Sequence, residues 1–160
     1  MSFVAIANPP PATPEAVIAN DGWFPDMDPA QVRAACMLDG TVTDERLRQA
    51  LQVAMLSVNA ELQTWADEQR VRWGYTSLGD VPAPQVGGQS AKLLHYRRAV
   101  HACLQADLLD TYRGMAAVGT GNKIDRSHDD LQQNSCDHRR NQRWAISALL
   151  GSARATIDLL

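Results

Sequence analysis

Thr43-Asp44-Glu45-Arg46-Leu47-Arg48-Gln49-Ala50-Leu51, continued without glycine or proline as far as Trp73, decides the fold. Thr43 offers a side-chain oxygen to the first free amides, and Asp44 and Glu45 lie at the positive end of a helix. Leu47, Leu51, Met55, Val58, Leu62 and Trp65 then recur at steps of four or three, which traces one face of an α-helix. Arg46, Gln52, Asn59, Gln63, Asp67 and Arg70 fall on other positions. At 1.5 Å per residue the helix is roughly 45 Å long, too long for its apolar face to stay uncovered. Later segments must pack on it, and the stripe is the core face of a bundle helix rather than a cofactor box.

Working outward, Asp28-Pro29 is a helix start, with Asp28 as cap and proline at the first helical position. A short helix is expected from Pro29 to about Leu38, closed by Asp39-Gly40, with Trp23 and Phe24 as a hydrophobic plug on the bundle. Asn8-Pro9-Pro10-Pro11-Ala12-Thr13-Pro14 removes amide donors, so residues 1–22 read as an extended arm. Downstream, Gly74 to Gly88 reads as a loop tacked to the core by Tyr75, Leu78 and Val81. A second long helix is expected from Ser90 to about Arg113, striped by Leu93, Tyr96, Val100, Cys103, Leu104, Leu108 and Tyr112 and ended by Gly114. Ala116 to Asp125 reads as a loop. A third helix follows from Ser127 to about Leu150. Its middle, Gln132 to Arg143, is so polar that it should project from the bundle or gain partners there. Gly151-Ser152 breaks it, and Ala153 to Leu160 can pair as an added strand. The fold class is all-α: a small bundle of two long helices, a short N-terminal helix and a C-terminal helix, with extended arms.

The chemistry that the chain excludes is as informative. Its 160 residues suit one domain, and a net charge of −3 argues against a protein that coats nucleic acid. Cys36, Cys103 and Cys136 are odd in number and form no CxxC pair, which points to a reduced chain without a disulfide framework. Residues 1–7 lack the basic region of a signal peptide, and no apolar run approaches a membrane span. His95 and His101 do not share a helix face, HExxH is absent, and Cys136-Asp137-His138 spreads its side chains around the helix, so no metal is expected. Asp107 with Asp110 and Asp129 with Asp130 read as solvated faces. Gly119-Thr120-Gly121-Asn122-Lys123 matches a phosphate loop only in composition. No cofactor and no enzyme activity are expected. One cluster stands out, His138-Arg139-Arg140-Asn141-Gln142-Arg143, which could touch phosphates, face solvent or pair across a subunit interface.

The ordered set Trp23-Phe24-Pro25-Asp26-Met27-Asp28-Pro29, Arg46-Leu47-Arg48-Gln49-Ala50 and Val58-Asn59-Ala60-Glu61-Leu62 resembles the phage head completion protein, or head–tail connector, family of contractile-tailed temperate phages. The likeness continues through Leu78-Gly79-Asp80-Val81-Pro82-Ala83, Ser90-Ala91-Lys92, Tyr96-Arg97-Arg98-Ala99-Val100, Tyr112-Arg113-Gly114 and Arg143-Trp144-Ala145, covering about residues 23–150. It implies an arm over residues 1–25, a helical connector domain over 26–150 and a docking tail over 151–160. It further implies a structural virion protein, made in the host cytoplasm and placed at the head–tail neck. Such a protein would form a ring of about twelve copies under the portal protein after DNA packaging, meet tail or neck proteins and help retain DNA passing through the ring lumen. Membranes play no part. Trp23, Phe24, Trp73, Arg139, Arg140 and Arg143 are then candidates for the subunit interface, and Thr156, Ile157, Leu159 and Leu160 for portal docking. The alternative is a DNA-binding helical module using the Arg139–Arg143 cluster; an enzyme built on His101 and Asp107 ranks last.

Overall fold

The computed structural model describes the backbone of residues 17–119 and 125–152, and the side chains of 17–112 and 133–152. In chain order the elements are α1 (Pro29–Ala35), α2 (Asp44–Trp73), a 3-10 turn (Leu78–Asp80), β1 (Gln85–Val86), β2 (Gln89–Ser90), α3 (Ala91–Gly119) and α4 (Asp125–Leu150). The predominantly helical bundle is the architecture that the periodicity requires.

Helix α2 forms as its sequence dictates. The Thr43 hydroxyl accepts the Arg46 N–H at 3.4 Å, and Gly74, at φ 70°, closes the other end in the left-handed region that suits glycine. Leu47, Leu51, Ala54, Met55, Val58, Leu62 and Ala66 are buried along its inner face. They share one core with Tyr96, Val100, Cys103, Leu104 and Leu108 of α3 and with Ala145, Ile146 and Leu149 of α4. Leu78 and Val81 are buried and Tyr75 packs on the same core, so the loop after α2 is fastened where expected.

Four boundaries differ from the sequence reading. Asp28 caps α1 through the Ala30 N–H at 2.9 Å, but the helix stops at Ala35, and Met37 turns the chain at φ 51°. Arg33 secures this turn by donating to the carbonyls of Asp39 and Val42. A two-stranded hairpin precedes α3, pairing Gln85 with Ser90 and Val86 with Gln89. Gly87 and Gly88, both at positive φ, form its two-residue turn. Helix α3 runs through Gly114 to Gly119, because one interior glycine costs only about 1 kcal/mol and does not stop a helix. Helix α4 begins at Asp125, two residues before Ser127.

The N-terminal segment is the largest correction. Residues 17–22, read as part of the arm, pack on the bundle, and Trp23 and Phe24 form the hydrophobic plug expected there. Ile18 and Met27 exchange backbone hydrogen bonds of 2.8 and 3.0 Å and are both buried. Trp23 and Phe24 are 4% and 2% exposed, so they belong to the monomer's own core and do not present a subunit interface. Phe24 stacks on Tyr96 at 5.1 Å, Trp23 meets Trp65 edge-on at 5.8 Å, and the Leu78 N–H donates to the Trp23 carbonyl at 2.9 Å.

Two leucines of α2 separate core from surface. Leu62→Ala should lower unfolding stability by roughly 2–5 kcal/mol because its site is fully buried, whereas Leu56→Ala, at a position 69% exposed, should change it by less than about 0.5 kcal/mol. Urea denaturation of both variants checks this; equal midpoints would show that the assigned face is wrong.

Candidate functional site

The polar middle of α4 has a specific use. Ser135, Arg139, Gln142, Ile146 and Leu149 recur at steps of four and three, and this line faces the other helices. The Ser135 hydroxyl donates to Asp110 at 2.8 Å. Arg139 donates to Asp107 at 3.0 Å and to Asp110 at 2.9 Å. Gln142, 7% exposed, donates to Glu61 of α2 at 2.8 Å. Lys92 donates to the Leu149 carbonyl and lies 5.2 Å over the Trp65 ring. Of the two expectations for this part of α4, projecting from the bundle or gaining partners there, the second holds: hydrogen bonds and ion pairs attach it where apolar contacts thin out.

This seam also reassigns the basic cluster. Arg139 is clamped by two half-exposed carboxylates, whose hydrogen bonds raise its guanidinium above the ordinary arginine range. Asp107 and Asp110, read as a solvated face, are the other half of that clamp. Arg140 pairs with Asp137 at 3.0 Å and lies 5.0 Å over the Trp144 ring. Arg143 is exposed. The three arginines thus do not converge, and Arg139 is spent inside the molecule. Thr156, Ile157, Leu159 and Leu160 lie outside the described residues.

What the structure does bring together is the outer face of α2. Val53, Leu56 and Val71 are 48%, 69% and 88% exposed, Ala60 and Thr64 lie exposed on the same side, and Trp73 is 59% exposed at the helix end. Beside it, Ile18, Asn20, Gln52, Met55 and Leu56 line a groove of about 380 Å³. Sequence reasoning singled out Trp73 alone. The signal for the rest was present as a second, weaker stripe on the helix, hidden behind the stronger core stripe.

Among the described residues no group of three or more His, Cys, Asp or Glu side chains could hold a metal ion, and no helix is long and apolar enough to cross a membrane. Burial pushes the thiols of Cys36 and Cys103 up to about 11, and for Cys103 the neighbouring Asp107 adds to the effect. Cys136 is exposed.

Fold and surface together define a small, predominantly helical protein, with its polar side chains used to lock helices and one helix face left outward. The chain belongs to the phage head completion protein (GPL) family, whose signature matches residues 18–160. It is 40% identical over 154 residues to the head completion/stabilization protein of Escherichia phage P2, covering 94% of this chain and 86% of that protein. No solved structure matches the chain significantly. It is accordingly a structural component of a phage virion, of a family that is not an enzyme family.

Two outcomes follow from the site's chemistry. In the native protein a thiol reagent at pH 8 should modify Cys136 rapidly and leave Cys36 and Cys103 for the unfolded state, because buried neutral thiols are poor nucleophiles. Mass spectrometry of the labelled peptides reads this, and early labelling of Cys103 would contradict the packing. Arg139→Gln should cost about 1 kcal/mol in dilute buffer, and the loss should shrink in 1 M salt, as expected for a partly exposed ion-pair network. A salt-independent loss in denaturant titrations would show that the clamp is not electrostatic.

Proposed function

We propose that this protein completes the phage head by forming a ring, of about twelve copies, beneath the portal after DNA packaging, where it joins head to tail and helps retain the genome. Family membership supports the head-completion role, and the phage P2 relative is named for completion and stabilization. The observation that carries the finer reading is the outer face of α2. Val53, Leu56, Val71 and Trp73 gain nothing from exposure in a free subunit, and apolar and aromatic side chains are what the buried centre of an interface needs. In this reading the face packs against a neighbouring copy, at the neck of a virion whose parts are made in the host cytoplasm.

Contact with the portal falls to the C-terminal tail. Ala153-Arg154-Ala155-Thr156-Ile157-Asp158-Leu159-Leu160 follows the helix-ending Gly151, at φ 76°, and closes on apolar residues. As an added strand, Thr156 and Ile157 would supply main-chain hydrogen bonds, while Leu159 and Leu160 fill pockets on a portal edge. Tail or neck proteins would then meet the opposite side of the ring.

Co-sedimentation with purified portal rings tests both surfaces. Deleting residues 153–160 should abolish co-sedimentation while leaving circular dichroism and the melting temperature unchanged. Leu56→Asp with Val71→Asp should reduce the number of copies bound per portal and leave a folded monomer. Parental binding by the truncated protein would place the anchor elsewhere, and parental stoichiometry of the double variant would remove α2 from the interface.

A further inference from the structure

We propose that the cleft between α3 and α4 binds phosphate, and that its occupant is the phosphodiester backbone of DNA. Leu94, Arg97, Arg98, His101, Ala102, Gln105, His138 and Asn141 line this cleft, which has a volume of about 400 Å³. Two guanidiniums, two imidazoles and two side-chain amides converge there without a carboxylate in the lining, on a chain whose net charge is −3. The nearby acids of the same helices are already engaged: Asp137 by Arg140, and Asp107 and Asp110 by Arg139. Arg97 is steadied by donating to Gln89 at 2.8 Å, which leaves other N–H groups of its fork available. Among the described residues, Arg98, His101 and His138 take part in no ion pair.

This donor set fits phosphate. Guanidinium forks match phosphate oxygens in pairs, and imidazole and amide N–H groups add donors of neutral charge. Burial and the adjacent Arg97 hold His101 below the usual imidazole range, so at neutral pH it donates a single N–H; the charged groups around it in the cleft are Arg97 and Arg98 on α3, and the His138 imidazole faces the same cleft from α4. A protein partner suits the cleft less well. Interface cores are rich in aromatic and large apolar residues, whereas only Leu94 and Ala102 supply apolar surface here. The described exposed large hydrophobics lie elsewhere, at Val17, Met37, Val53, Leu56, Val71, Trp73 and Val86. Choosing DNA over free phosphate rests on the head-completion reading, in which the ring surrounds packaged DNA. One subunit offers few contacts and binds weakly, and repetition around a ring multiplies them.

Nuclear magnetic resonance titration of the full chain at low salt tests this, following the imidazole signals of His101 and His138. The probes are a short DNA duplex, inorganic phosphate and polyglutamate. DNA should shift both imidazoles, and added salt should weaken binding with a log–log slope near −2. Arg97→Gln with Arg98→Gln should weaken DNA binding at least tenfold and flatten the slope by about one per lost contact. Arg98→Gln alone, at an exposed position, guards against loss of the Arg97–Gln89 contact and should produce about half of the change in slope. Binding of inorganic phosphate alone, polyglutamate binding as tight as DNA, or DNA binding indifferent to the double substitution would each overturn the proposal. Loss of DNA binding with intact portal co-sedimentation would leave the head-completion reading standing, and the converse would remove that reading without touching the phosphate site.

Discussion

Three side-chain hydrogen bonds close on themselves where the N-terminal segment, α2 and α3 meet. The Asn20 amide donates to the Tyr96 hydroxyl at 2.8 Å, that hydroxyl donates to Asn59 at 2.6 Å, and the Asn59 amide donates back to Asn20 at 2.8 Å. Asn20 also donates to the Pro25 carbonyl and takes Asp26 as the acceptor for its own backbone N–H. Tyr96 is fully buried, and that burial drives its phenol well above the usual range. A partly buried ring of this kind loses two hydrogen bonds when any one member is removed, at a cost of roughly 1–3 kcal/mol. It places the segment ahead of α1 over the helices and seats Trp23 and Phe24 in the core.

That constraint divides the molecule's surfaces. With Trp23 and Phe24 inside, the inner face of α2 is satisfied by the subunit itself, and its outer face is left exposed. Helix α4 is held differently. Its C-terminal half is anchored by Ala145, Ile146 and Leu149, and its middle by the Ser135, Arg139 and Gln142 bonds to acids of α3 and α2. Arg139 offsets part of the charge of Asp107 and Asp110, and no carboxylate lines the α3–α4 cleft beside Arg97 and Arg98.

Much of this was legible in the residues. The spacing from Leu47 to Leu62 identified the core face of α2, Thr43 and Asp28 marked two helix starts, and the ordered pieces from Trp23 to Trp144 pointed to the family. The misses share a cause. Apolar periodicity registers buried surface only when the buried residues are apolar, so nothing marked Ser135, Arg139 and Gln142 as the inner line of α4, and the stretch read as one that projects or gains partners. Asn20 carries no local pattern at all, since its partners lie at positions 59 and 96. Gly114 was given too much weight as a stop. The cleft of Arg97, Arg98, His101 and His138 requires two helices to be laid side by side, and no single stretch contains it.

Hydroxyl-radical footprinting of the free protein and of the assembled phage neck bears most directly on the division between a closed core and an outward α2 face. In the free subunit Leu56, Val71 and Trp73 should oxidise readily, while Leu51, Leu62 and Phe24 stay protected. In the assembled neck, oxidation of Leu56, Val71 and Trp73 should fall severalfold. Unchanged oxidation of all three in the virion would contradict an interface on that face.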